Sequence, residues 1–299
     1  MTPRPPFGEK IVIVADPHVC MEGESPYGID GGARLQLTVD FINRRHGDAS
    51  LCVFLGDLTI SGRRGEYERL AEISRFLRTP VRFALGNHDD RDAFFAAFRE
   101  HPRDGAGYVQ FIHQLREITC VIADTFQSGN ASGWLCEQRL ANLASMLDGL
   151  RGEQAMLFLH HPPNPIGVVG IDRTALEASA GAELSRIIIA SGVRLLYTFC
   201  GHTHRTVFST WAGAPCAAIP SAGHIWPKNF TTAIEAQLYN GPPRLGVAYV
   251  SETNVTVHIQ DILTASGDWP HRTNRELIYN ITGADLRGAR YLSDEIDES

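Results

Sequence analysis

The chain has 299 residues, a hydrophobic fraction of 43% and a net charge of −7. That length allows one large domain or two small ones, and the acidic balance argues against binding to a nucleic-acid polymer or a membrane surface through Lys and Arg. No apolar run reaches the roughly 20 residues that span a bilayer.

Residues 1–10 are Pro-rich and lack an apolar signal core, so a cytoplasmic protein is expected. The run Ile11-Val12-Ile13-Val14-Ala15 is continuous, as in a strand covered on both faces, and ends in Asp16-Pro17-His18. Residues 19–32 are Gly-rich and polar and read as a loop, in which 22–32 have contact with a substrate base or alcohol and a plain solvated loop as even alternatives. Residues 33–45 and 64–77 carry apolar side chains at helical spacing. Between them, Leu51-Cys52-Val53-Phe54-Leu55 reads as a second strand ending in Gly56-Asp57. A third, residues 81–85, ends in Gly86-Asn87-His88-Asp89.

Residues 92–99 suggest a short helix, residues 108–112 and 119–123 strands, and residues 137–150 a helix. Ala155-Met156-Leu157-Phe158-Leu159 is another buried strand, ending in His160-His161-Pro162-Pro163. A Gly/Pro loop and a helix over 175–191, closed by Gly192, lead to a strand over 193–200 ending in Gly201-His202-Thr203-His204. Short strands are expected at 206–211, 215–219, 232–237, 245–250 and 255–260. This order predicts an α/β fold in which two mixed sheets pack face to face, flanked by helices. A single domain over 1–264 with a small cap of loops is expected, and 265–299 reads as an extension that is mobile or lies at an oligomer interface.

Five apolar runs thus end in metal-ligand residue types. Sites in α/β sheets form beyond the carboxyl ends of the strands, so Asp16, His18, Asp57, Asn87, His160, His202 and His204 should converge on one rim. Imidazole, carboxylate and amide together suit Zn, Fe and Mn, and the lack of thiolates argues against a structural zinc site. Seven groups suit two metals, with Asp57 as the natural bridge because its strand supplies no second ligand. Such a pair acidifies a bound water and clamps a phosphoryl group. Hydrolysis of a phosphate ester by metal-bound hydroxide is the expected reaction.

Asp16-x-His18, Gly56-Asp57, Gly86-Asn87-His88-Asp89, His160 and Gly201-His202-x-His204 resemble the signature of the calcineurin-like metallophosphoesterases. Further matches resemble the bacterial branch of class III cyclic-nucleotide phosphodiesterases and glycerophosphodiesterases: Gly62, Tyr67, Arg91, Asp124-Thr125, Gly133, Leu135, Gln138 and His161-Pro162-Pro163. The resemblance spans roughly residues 10–260. It implies that Asp16, His18, Asp57 and His204 hold one metal and that Asp57, Asn87, His160 and His202 hold the other, as Fe, Mn or Zn. It also implies that His88 acts on the phosphate and that Asp89 supports it. His161 is expected near the substrate or behind the ligands, and Asn87 and His88 in contact with the substrate. His224, which follows Pro220-Ser221-Ala222-Gly223, has a substrate-pocket role and a packing role as even alternatives, as has Trp226.

A small phosphodiester, with 3′,5′-cyclic nucleotides as one candidate, is the expected substrate. A glycerophosphodiester, a phosphomonoester or a scaffold role without catalysis are the alternatives, and a homodimer is compatible with the branch. His46, His101, His113, His258 and His271 are isolated and read as packing or surface residues. Arg34 and Arg91 read as salt-bridge residues before phosphate ligands. All six cysteines lack a C-x-x-C partner and read as reduced, those within apolar runs as buried.

Overall fold

The computed structural model describes residues 8–226, 241–252 and 254–262, together with the backbone of 236–239 and 277–281. Its first sheet has the order β12-β11-β1-β2-β3. Here β1 is Glu9–Val14, β2 Leu51–Leu55, β3 Val81–Ala84, β11 Arg244–Val250 and β12 Val255–Asp261. The second has the order β4-β5-β6-β7-β9-β8, from Phe111–Gln114, Thr119–Ile122, Gln154–Phe158, Arg194–Cys200, Ala214–Ala218 and Val207–Trp211 respectively. Strands β1, β2 and β3 are mutually parallel, and so are β5, β6, β7 and β9. A separate pair joins β10, Ala236–Tyr239, to β13, Leu277–Ile281. So part of the stretch read as a terminal extension forms a strand, while its remainder and His271 lie outside the described residues.

The helices are α1 Gly31–Arg45, α2 Arg64–Ser74, α3 Arg91–Ala97, α4 Glu137–Asp148, α5 Val169–Asp172 and α6 Ala178–Ser191. Residues 31–45 begin a helix because the Asp30 side chain accepts the Ala33 N–H, an N-cap bond. Gly192 ends α6 in the left-handed region, φ 74°. The short α5, built within the expected Gly/Pro loop, and β13 are absent from the sequence-based expectation; neither is long enough to show a period.

Two apolar layers explain why the inner strands read as unbroken hydrophobic runs. Cys120, Ile122, Met156, Phe158 and Phe199 face the first sheet and join its core, whereas Val121, Ala123, Ala155, Leu157, Leu159 and Cys200 face α4 and α6. Phe158 stacks on Phe199 with ring centroids 5.3 Å apart. Each such ring, fully buried, contributes about 1.5–3 kcal/mol. Cys52, Cys120, Cys200 and Cys216 pack in these layers as buried free thiols.

The segment Ile219–His224 ties the two sheets together. Ile219 N–H donates to Cys200 O in the second sheet, and Ala222 N–H donates to Ala15 O in the first. Arg34, on α1, is buried against this segment and donates to the Ala222 and Gly241 carbonyls. The parallel strands of both sheets therefore end on one rim.

Candidate metal centre

Backbone geometry marks the rim before any side chain is considered. Seven described non-glycine residues have positive φ, and five of them are Asp16, His18, Asp57, His202 and His204, at 47–66°. Such conformations are sparsely populated and collect at functional sites. Turns this tight need close backbone approach. A Cβ on Gly86 would lie 2.3 Å from Asp57 Oδ1, so only glycine fits there.

One group of donors is formed by Asp57, Asn87, His160 and His202. His160 gives its Nδ1 proton to Leu55 O at 2.8 Å, so its Nε2 is an acceptor. That Nε2 lies 3.2 Å from Asn87 Oδ1 and 3.4 Å from Asp57 Oδ1. Thr174 donates its hydroxyl to Ile171 O and therefore accepts from His202 Nε2 at 2.8 Å. This fixes the His202 tautomer and leaves Nδ1 as an acceptor, 3.1 Å from Asn87 Oδ1. Acceptors thus face acceptors at a largely buried point, an arrangement that a cation satisfies and a hydrogen bond does not.

The second group is Asp16, His18, Asp57 and His204, whose ligand atoms all lie within 4.8 Å of one another. His204 donates Nδ1–H to His224 O, which leaves Nε2 as an acceptor 3.1 Å from His18 Nε2. His18 Nδ1 is buried without a partner. Asp57 faces both groups, with Oδ1 toward His160 and Oδ2 3.7 Å from His18 Nε2. Asp16 accepts His202 N–H at 2.9 Å, which links the ends of β1 and β7.

Burial, then Asp57 and Asp89, push the Asp16 carboxyl well above the usual range, against the His202 N–H. Burial first, then neighbouring imidazoles, push His18 well below its ordinary value, and likewise His204; His202 falls to about 3. Neutral imidazoles are what a metal site requires. The donor types, bare acceptors and orphaned His18 nitrogen fit a pair of cations.

His88 is half-buried and donates Nδ1–H to Ile60 O at 2.8 Å, and its ring meets that of His18 edge-on at 4.7 Å. Asp89, expected to support it, does so through the backbone of the turn rather than through a bond to the ring. The Asp89 carboxylate is buried and accepts from Gly86 N–H, Leu58 N–H, Thr59 N–H and Tyr67 O–H. It pins the Gly86–His88 turn to the end of β2, which makes it a positioning residue. Burial and Asp57 raise it to about 7 against those donors.

Of the two places expected for His161, near the substrate or behind the ligands, its bonds favour the second, although a ring nitrogen still lies within 4.8 Å of those of His160 and His202. Its ring is fully buried, with Nδ1 2.8 Å from Thr125 Oγ1 and Nε2 3.2 Å from Ala131 O. A Cβ on Gly133 would strike it at 2.5 Å. Arg91 is committed to the buried Asp124, which fixes the Thr125 strand end behind His161. His224 does reach the site: its ring centroid lies 4.3 Å from His204 and 4.9 Å from His18. Trp226 lies 5.7 Å from His204. Sequence reasoning missed Thr174 and the Leu55 and Ile60 carbonyls, which set tautomers from non-local positions and leave no local signal.

Two sandwiched sheets with such a rim of Asp, Asn and His define a metallophosphoesterase. The family model described as calcineurin-like phosphoesterase matches residues 9–206, and the chain belongs to that family. It is 37% identical over 209 residues to a probable cyclic nucleotide phosphodiesterase of Rhodopseudomonas palustris, covering 69% of this chain and 75% of that one. It is 26% identical over 263 residues to a probable glycerophosphodiester phosphodiesterase of Arcobacter nitrofigilis, covering 87% and 96%. Among solved structures, a purple acid phosphatase from yellow lupin (Lupinus luteus) seeds shares the fold with a TM-score of 0.56 at 12% identity, covering 89% of this chain and 57% of the other. No helix among the described residues is long and apolar enough to cross a membrane.

Proposed function

We propose that this protein hydrolyses small phosphodiesters at a dinuclear metal centre, 3′,5′-cyclic nucleotides foremost, in the cytoplasm. The convergence of seven donors with acceptor facing acceptor carries the reading. Asp16, His18, Asp57 and His204 would hold one cation and Asp57, Asn87, His160 and His202 the other. Imidazole, carboxylate and amide favour Mn, Fe or Zn. When bound, the pair supplies positive charge for the phosphoryl oxygens and acidifies a water.

The chain's own groups do the remainder. Leu55 O, Thr174 and the His224 carbonyl fix the imidazole tautomers, so the donor set is pre-organised. Because Nδ1 of His88 is committed to Ile60 O, the contact of this ring with a leaving oxygen would run through Nε2. Asp89 keeps Asn87 and His88 in register with Asp57, whose Oδ1 accepts the His88 N–H at 2.9 Å.

A glycerophosphodiester is the second reading, supported by the relative of that name, which aligns over most of both chains. The test is hydrolysis of bis(p-nitrophenyl) phosphate and p-nitrophenyl phosphate by protein reconstituted with Mn, Fe or Zn. Preference for the diester, lost in Asn87→Ala, is expected. Equal rates for Asn87→Ala and wild type, or preference for the monoester, would sink the proposal.

A further inference from the structure

Cys136 is the one cysteine of six that is not buried. It stands at the N-cap of α4, with extended backbone, φ −69° and ψ 164°. The free N–H groups of a first helical turn favour negative charge there, and thiols so placed ionise more readily than ordinary ones. Position alone makes no site; the side chains around the sulfur do.

The Tyr108 hydroxyl lies 3.7 Å from the Cys136 sulfur. Its ring is held by two cations, the Arg91 and Arg139 guanidiniums, at 5.0 and 4.9 Å from the centroid. Arg139 is buried and gives Nη1 to the Asp124 and Phe126 carbonyls. Its Nε is buried too and meets no hydrogen-bond acceptor among the described residues. A guanidinium with a stranded donor favours an anion beside it. Arg139 and Arg91 already share the Asp124 carboxylate, at 3.7 and 3.0 Å. Burial pushes the Cys136 thiol up, but the Arg139 N–H, its guanidinium and the Tyr108 hydroxyl outweigh this and draw it down to about 7. Tyr108 is pushed up by its bond to Cys136 and so remains the donor. The neighbouring carboxylates act the other way. Glu137 is next in the chain, and Asp104 is taken up by the Ala106 and Tyr108 N–H groups and the Asn142 amide.

We propose that Cys136, set between Tyr108 and Arg139, is a modification site that exchanges with low-molecular-weight disulfides. The Cys136 thiolate attacks one sulfur of the disulfide. A bond from Cys136 Sγ to that sulfur forms, the S–S bond of the reagent breaks, and the leaving thiolate carries off the electron pair and then takes a proton from water. The disulfide itself is the oxidant, and the protein gains one mixed disulfide. The inference stands apart from the phosphodiesterase reading. At pH 7 about half of such a thiol is ionised, against about 3% of an ordinary one. The weaker nucleophilicity of the more acidic thiolate takes back part of that gain and leaves roughly threefold in rate.

The test treats the metal-loaded full-length protein with oxidised glutathione and weighs the product by mass spectrometry. Native wild type gains one glutathionyl group per chain, and dithiothreitol removes it. Cys136→Ser gains none, and its hydroxyl suits the N-cap, so the fold is kept. Alkylation of the native protein by iodoacetamide, followed against pH, turns on with a midpoint near 7. In Tyr108→Phe, which removes one donor to the sulfur, that midpoint moves upward. No addition to wild type, equal addition to Cys136→Ser, a wild-type midpoint at the ordinary value of about 8.5, or an unmoved midpoint in Tyr108→Phe would overturn the assignment.

Discussion

Nε2 of His204 lies 3.1 Å from Nε2 of His18, both side chains being buried, and the His224 carbonyl takes the other His204 proton. Folding presses these two nitrogens together against their hydration, together with the Asp16 and Asp57 carboxylates. A cation repays that cost, so binding to the folded chain stabilises it by mass action, by about 2.7 kcal/mol at a hundredfold excess over Kd. Removing metal with a chelator is expected to lower the thermal midpoint by several degrees, and Mn or Zn should restore it. An unchanged midpoint would contradict the assignment.

Asp89 and Tyr67 should behave as structural partners of the site. Asp89→Asn removes an acceptor that serves three backbone N–H groups and the Tyr67 hydroxyl, so a loss of about 2–3 kcal/mol is expected. Tyr67→Phe, which also strands the Asp90 N–H, should lose about 1–2 kcal/mol. His88→Ala should instead depress kcat by at least about 100-fold with little change in stability. Urea midpoints and kcat measured on the three variants check this. A stable Asp89→Asn with kcat as low as His88→Ala would return Asp89 to the chemistry.

His101 gives a pH signature far from the metals. Its ring packs among Phe83, Phe94 and Phe111, and its Nε2 accepts the Phe83 N–H at 3.0 Å. Burial, then Arg82, lowers it from 6.5 to about 4. The folded value lies below the unfolded one, so the stabilisation is complete above pH 6.5 and is lost as the pH falls toward 4. Between those limits the wild type should lose of order 3 kcal/mol more than His101→Gln. Parallel losses in the two proteins would refute it.

Gly86 tests the steric argument. Gly86→Ala places a methyl against Asp57 Oδ1 and backbone N. Metal content and activity should both collapse while far-UV circular dichroism is retained. Full metal content in Gly86→Ala would show that the turn can yield.

The rim was legible because buried parallel strands are continuous apolar runs, and each ran directly into Asp, Asn or His. The order β1, β2, β3, β6, β7 of the donor-bearing strands follows from the same runs. What the donors do locally was hidden. Nothing in Asp16-Pro17-His18 announces a left-handed aspartate; that conformation is imposed by bonds such as Asp16 N–H to Gly56 O and His18 N–H to Asp57 O, from another strand. How Asp89 supports His88 was hidden, because its carboxylate turns toward the end of β2 and holds the turn by its backbone N–H groups. His161 was left between two readings because only non-local partners, Thr125 Oγ1 and Ala131 O, hold its ring behind the donors. Boundaries drifted by one to three residues where a cap rather than a period ends the element, as at Gly31 and Ser74.

The central claim is a two-metal site bridged by Asp57, and metal analysis of reconstituted protein tests it most directly. Wild type should hold two metals per chain, Asn87→Ala about one, and Asp57→Asn fewer than one, because the two Asp57 carboxylate oxygens face one donor group each. Fewer than one metal per chain in wild type under metal-replete conditions, or two in Asp57→Asn, would contradict it.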